Sequence, residues 1–180
     1  MSEAVNPYAA PRAAVADVYE DEGGTQPVKW FSAKGRVGRL RYLAYGFVGY
    51  LIMVVAAFLA GALAAGVGKA SLAGLFGVLT TIPYFLFIIL LTIQRSHDMG
   101  WTGWTAILAF IPLVGLIWIF NPGTKGGNRF GAPPPPNSTM VKVGALMFPL
   151  IVVIGIAAAI ALPAYQDYVK RAKAAQVVKP

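Results

Sequence analysis

YLAYGFVGYLIMVVAAFLAGALAAGV, residues 42–67, holds no Asp, Glu, Lys, Arg or His. At 1.5 Å per helical residue it can cross a hydrocarbon slab about 30 Å thick, and that length decides the fold. Three more stretches of this kind follow, at residues 72–93, 101–120 and 143–164. Hydrophobic residues make up 57% of the 180 and charged residues 12%, against a charged share of about 25% in soluble domains. The expected fold is therefore all-α, a polytopic membrane protein with a four-transmembrane-helix bundle and a disordered N-terminal tail. The first span is expected to act as an uncleaved signal anchor, since about forty mostly polar residues precede it.

The chain divides by composition. Residues 1–28, with Glu20, Asp21 and Glu22 before two glycines, read as a disordered tail. Residues 29–133 form a three-helix membrane domain, residues 134–142 the end of a proline-rich linker, and residues 143–180 a transmembrane helix with a basic tail. Cysteine is absent, so disulfides, thiol catalysis and thiolate metal sites are excluded. The formal net charge is +8. The basic residues sit beside the apolar segments, which makes the lipid bilayer their expected partner and not nucleic acid.

Lys34, Arg36, Arg39 and Arg41 stand just ahead of the first span among Trp30, Phe31, Val37 and Leu40. That mixture suits the headgroup layer and reads as a juxtamembrane anchor. Small residues at helical spacing, Gly61 in the first span and Gly155 and Ala159 in the last, would let helices approach closely. Pro83 and Pro112 each remove an amide donor and should bend their helices.

Arg95, His97 and Asp98, followed by Trp101 and Trp104, form the main polar interruption. A charged residue at mid-bilayer costs about 2.5–3.5 kcal/mol, so the cluster belongs at a helix end with the tryptophans in the interfacial belt. With one histidine in the chain, a closed zinc site is not expected. Adjacent residues point in different directions, so Ser96, His97 and Asp98 cannot converge as a triad. The cluster reads as polar packing, with the loop holding Asn128 and Arg129 as its partner. No cofactor or metal is expected, and no enzymatic activity.

Four spans with both termini in the cytoplasm would place eleven cations inside and four outside, as the positive-inside bias requires. That topology separates the His97–Asp98 and Asn128–Arg129 segments onto opposite faces.

Ordered blocks carry a resemblance. FSAKGR at 31–36, RSHDMGWTGW at 95–104, IPLVG at 111–115 and PGTKGGNRFG at 122–131 resemble the domain of unknown function 805 family of bacterial inner-membrane proteins. In that family two arginines and a leucine usually precede the His-Asp pair, and Gln94 and Ser96 stand in two of those places here. The resemblance implies a bacterial inner-membrane, multi-pass location and no established activity. Separately, IVVIGIAAAIALPAYQDY at 151–168 resembles the N-terminal helix of type IV pilins without its processing site, since the corresponding stretch, GALMFP at 144–149, holds no carboxylate. Two functional expectations follow. The first is a non-enzymatic protein acting through contacts with lipid, other membrane proteins, pilin helices or further copies of itself. The second is a small transporter or channel component using Arg95, His97 and Asp98.

Overall fold

A computed structural model describes residues 24–177. Helix α1 spans Arg39–Gly66 and α2 spans Ala73–Asp98, joined by a tight turn around Lys69 and a short 3₁₀ turn, Ala70–Leu72. A 3₁₀ helix, Gly103–Phe110, and a one-turn α3, Leu116–Phe120, come next. The long α4, Thr139–Val177, closes the chain. Among the described residues the only β pairing is an isolated Asn128–Gly131 bridge. The all-α membrane architecture is thus present.

Among the described residues three segments are long and apolar enough to cross a membrane: Arg39–Gly66, Ala70–Asp98 and Thr139–Ala174. Helices α1 and α2 run antiparallel. Gly49 lies against Phe87, Gly46 against Ile88 and Gly61 against Ala73, each glycine clearing space for its neighbour. Helices α1 and α4 run parallel, with Ala44 packed on Val141 and Ala145. Gly144 lets α4 approach, since a Cβ there would lie 3.2 Å from that of Ala44. The 39 residues of α4 extend about 58 Å, well beyond the slab and beyond the end of α1.

The fourth apolar stretch takes another path. Residues 101–120 are long enough to cross once, but they fold into a hairpin that enters and leaves at one end of the bundle. The descending 3₁₀ arm follows α2 downward, from Gly103 beside Ile93 and His97 to Phe110 stacked on Phe85 with ring centroids 5.7 Å apart. Phe85 lies about 20 Å along α2 from Asp98, so the hairpin tip lies about that far from the end of α2. Pro112 sets the reversal. The residue before a proline is driven out of the helical region, and Ile111 is extended, with φ −81 and ψ 123. Leu113 then takes φ +68. Gly115 completes the turn where a Cβ would collide with the Ala109 carbonyl oxygen. Irregular backbone at this depth must satisfy itself. The amides of Ile111, Val114, Gly115, Leu116 and Ile117 all donate to carbonyls between Leu108 and Val114, and Pro112 has no amide to satisfy. Helix α3 returns to the level of Ser96, where Trp118 binds.

The hairpin changes the expected topology. The start of α1, the end of α2, both ends of the hairpin and the start of α4 share one end of the bundle. His97 and Asp98 meet the Thr124–Asn128 loop there, where four full crossings would have separated them. Residues 24–38 therefore lie at the end opposite the last turn of α4, and the termini themselves fall outside the described residues. The expected disordered tail is corrected for residues 24–28: the Gln26 amide donates to the Pro133 carbonyl at 3.1 Å. The rest of that tail lies outside the described residues.

Candidate functional site

Asp98, at the last turn of α2, anchors the shared end. A carboxylate is poorly placed there, because a helix C-terminus is the negative end of the backbone dipole. Two buried guanidiniums offset this. Arg36 reaches Oδ1 through Nη2 at 3.1 Å and Nε at 3.3 Å. Arg95, one turn back on α2, reaches Oδ2 through Nη1 at 2.6 Å. Both arginine side chains are fully enclosed.

The pair brings two positive charges to one negative charge, and backbone carbonyl dipoles surround the excess. Arg36 Nη1 donates to the Gly126 and Gly131 carbonyls, and Nη2 also to the carbonyl and hydroxyl of Thr124. Arg95 Nε donates to the Trp118 carbonyl at 2.8 Å, and Nη2 to that of Asn121. Thr124 returns its own amide and hydroxyl to the Asp98 carbonyl, both at 2.8 Å. Each guanidinium nitrogen thus has an acceptor. Gly123, at φ +83, passes so close to Asp98 that a Cβ would overlap the carboxylate. This charge cluster ties the N-terminal segment, α2, the hairpin and the following loop into one knot.

Other anticipated residues surround it. The His97 ring stacks on Phe130, with centroids 3.9 Å apart. Its Nδ1 lies 3.2 Å from the Gly35 carbonyl, the geometry of a donated N–H. Asn128 Nδ2 donates to the His97 carbonyl at 2.9 Å, so the anticipated partnership with this loop is present. Arg129 donates to the Gly100 carbonyl and lies over the Phe130 ring. Trp101 meets Trp118 edge-on at 5.4 Å. Trp104 is exposed, as an interfacial ring should be.

The basic segment ahead of α1 divides into two groups. Lys34 and Arg39 are exposed, as expected of headgroup cations. Arg36 and Arg41 are buried, which corrects their expected juxtamembrane role. Arg36 belongs to the knot, and Arg41 grips the Pro135 and Pro136 carbonyls, both at 2.8 Å. Proline lacks an amide but keeps a strong carbonyl acceptor, so the proline run serves as a docking rail. Gly61 packs within the chain, whereas a Cβ at Gly155 would meet nothing within 4 Å outside its own helix backbone and Ala159 is exposed.

Gln94, Ser96, Trp118, Gly123 and Thr124 were not anticipated as site residues. Gln94 Nε2 donates to the Lys29 and Ser32 carbonyls at 2.7 and 2.6 Å. Ser96 Oγ accepts from Trp118 Nε1 at 2.9 Å and donates to the Thr92 carbonyl. Among the described residues no group of three or more His, Cys, Asp and Glu side chains could hold a metal ion.

Fold and site define a helical membrane protein whose hairpin is closed at one end by a two-arginine, one-carboxylate knot. The chain belongs to the family described as protein of unknown function (DUF805), whose profile it matches over residues 30–132. It is 35% identical over 71 residues to inner membrane protein YhaH of Escherichia coli K12, a match covering 37% of this chain and 55% of that protein. It is 36% identical over 61 residues to inner membrane protein YhaI of the same strain, covering 32% and 52%. The chain spans about half the length of the curated relatives it matches. No solved structure matches it.

Proposed function

We propose that this chain is a non-enzymatic protein of the bacterial inner membrane that acts by presenting α4 to another transmembrane helix. The supporting observation is a contrast between two parts of the molecule. The charged knot is enclosed, with an acceptor from its own chain on every guanidinium nitrogen, whereas α4 is exposed around most of its circumference beyond the α1 contact. Val153, Ile154, Ile156, Ile160 and Leu162 are each more than half exposed. In lipid such a surface gains nothing from hydrophobicity alone, and small residues such as Gly155 permit close helix approach.

Charge favours one orientation. Lys29, Lys34, Arg36, Arg39, Arg41, Arg95, Lys125, Arg129 and Lys142 stand at the knot end, against Lys69, Lys170, Arg171 and Lys173 at the other. The positive-inside bias puts the knot in the cytoplasmic half and the C-terminal end of α4 outside. A pilin helix also leaves the membrane outward, so this direction supports pilin helices as a narrower class of partner. The transporter reading loses support. Every guanidinium nitrogen of Arg36 and Arg95 already holds an acceptor, and three grooves along α1 and α2 have no charged side chain in their lining.

The test is photo-crosslinking in cells from residues 155 and 159, with pilin co-expressed. The expected result is a discrete protein adduct, a second copy or another membrane protein. Adducts with lipid alone at both positions would remove the proposal, and protein adducts that never contain pilin would remove its narrower form.

A further inference from the structure

A groove of about 370 Å³ opens between α1 and α2 on the lipid side, and the sequence explains why it is there. Ala56 keeps side-chain bulk on α1 small, Gly49 seats the Phe87 ring in the groove wall, and Pro83 faces the same space from α2. The groove runs from Tyr45 to Ala56, about 16 Å along α1. That is the depth of one leaflet's hydrocarbon, about 15 Å. Its upper end has a specific construction. The Trp30 ring stacks on Tyr45 at 4.3 Å, and Phe31 sits against Phe87 at 6.0 Å. Both rings come from the segment pinned to α2 through Gln94, so the rim is held in place from behind. Lys29 and Lys34 flank those rings in the chain and are exposed. Among the described residues neither is paired with a carboxylate.

We infer that this groove is a binding site for one anionic glycerophospholipid. One acyl chain lies between Gly49, Ala56 and Pro83, and the phosphate meets Lys29 and Lys34. Apolar groove length, aromatic rim and cation placement each match one part of such a molecule. Zwitterionic lipid fills the same groove but gains less from the lysines. This goes beyond the α4 reading and is independent of it, because the groove and α4's outward surface share no residue.

Native mass spectrometry of the full chain, released from mild detergent with phosphatidylglycerol or phosphatidylcholine of identical acyl chains, tests it. Each lysine near an anionic surface contributes roughly fivefold in affinity at low salt, so the wild-type preference for phosphatidylglycerol should be about thirtyfold. K29Q/K34Q should bring the ratio close to one while phosphatidylcholine still binds. A56F should abolish retention of both lipids with the thermal unfolding midpoint unchanged, and A56S should retain wild-type binding. Equal retention of the two lipids by the wild type, an unchanged ratio in K29Q/K34Q, or wild-type retention by A56F would each overturn the assignment. So would a loss in A56F that A56S shares.

Discussion

Asp98→Asn removes the only formal negative charge between Arg36 and Arg95 and puts an amide in its place. The carboxylate accepts three hydrogen bonds, at 3.3, 3.1 and 2.6 Å. An amide offers one acceptor oxygen and turns an NH₂ group toward a guanidinium. Two enclosed cations then face each other with only carbonyl dipoles between them. Removing one partner from a buried ion pair costs about 3–5 kcal/mol, because the remaining charge stays buried and uncompensated. The loss should appear in equilibrium unfolding by SDS in mixed micelles, followed by circular dichroism. Arg36→Met should cost less, since Asp98 keeps Arg95. In the double variant D98N/R36M the repulsion is absent, so its cost should fall short of the sum of the single costs by at least about 1 kcal/mol. Asp167→Asn is the comparison. Its pairing with Lys170 spans 3.8 Å between largely exposed groups, so the change should stay within about 0.5 kcal/mol. If Asp98→Asn is as mild as Asp167→Asn, or if the two knot substitutions add, the knot does not hold the fold.

Other positions give sharper local expectations in the same assay. Gly123→Ala combines a left-handed backbone with a Cβ overlapping Asp98, and should destabilise by at least about 1–3 kcal/mol. A loss under about 0.5 kcal/mol would show that the loop does not pass as closely as described. Trp118→Phe deletes the donor to buried Ser96 and should cost about 1–3 kcal/mol, whereas Trp104→Phe, at an exposed ring, should be nearly silent. Leu113→Gly relieves a non-glycine residue at φ +68 whose side chain is 80% exposed, and should be neutral or stabilising by up to about 1–2 kcal/mol. Clear destabilisation by Leu113→Gly would place Leu113 in a different turn.

The membrane class, the helical character and the position of the Arg95–Asp98 cluster at a helix end were legible because they follow from local apolar length and the cost of charge in lipid. The path of residues 101–120 was not. Their length satisfies a crossing, and the prolines at 83 and 112 look alike in sequence. Only at 112 do an extended residue before the proline, a left-handed Leu113 and the small Gly115 combine into a reversal. The arginines ahead of α1 raised the same difficulty. Arg36, Arg39 and Arg41 share one composition and one neighbourhood, yet Arg39 faces outward while the other two find acceptors nearly a hundred residues away. Such acceptors are backbone carbonyls, which every residue carries and no sequence pattern marks. The loop partnership of His97 with Asn128 was legible as chemistry, although the expected topology set the two apart.

The central claim is that residues 101–120 enter and leave the membrane on the same side. Because the chain contains no cysteine, single cysteines can be placed at residues 34, 69 and 125 and labelled in intact cells with an impermeant maleimide. Residue 69 alone should label before the membrane is opened, with residues 34 and 125 both protected until then. Labelling at 125 with protection at 34 would mean that the hairpin crosses, and the knot could not form.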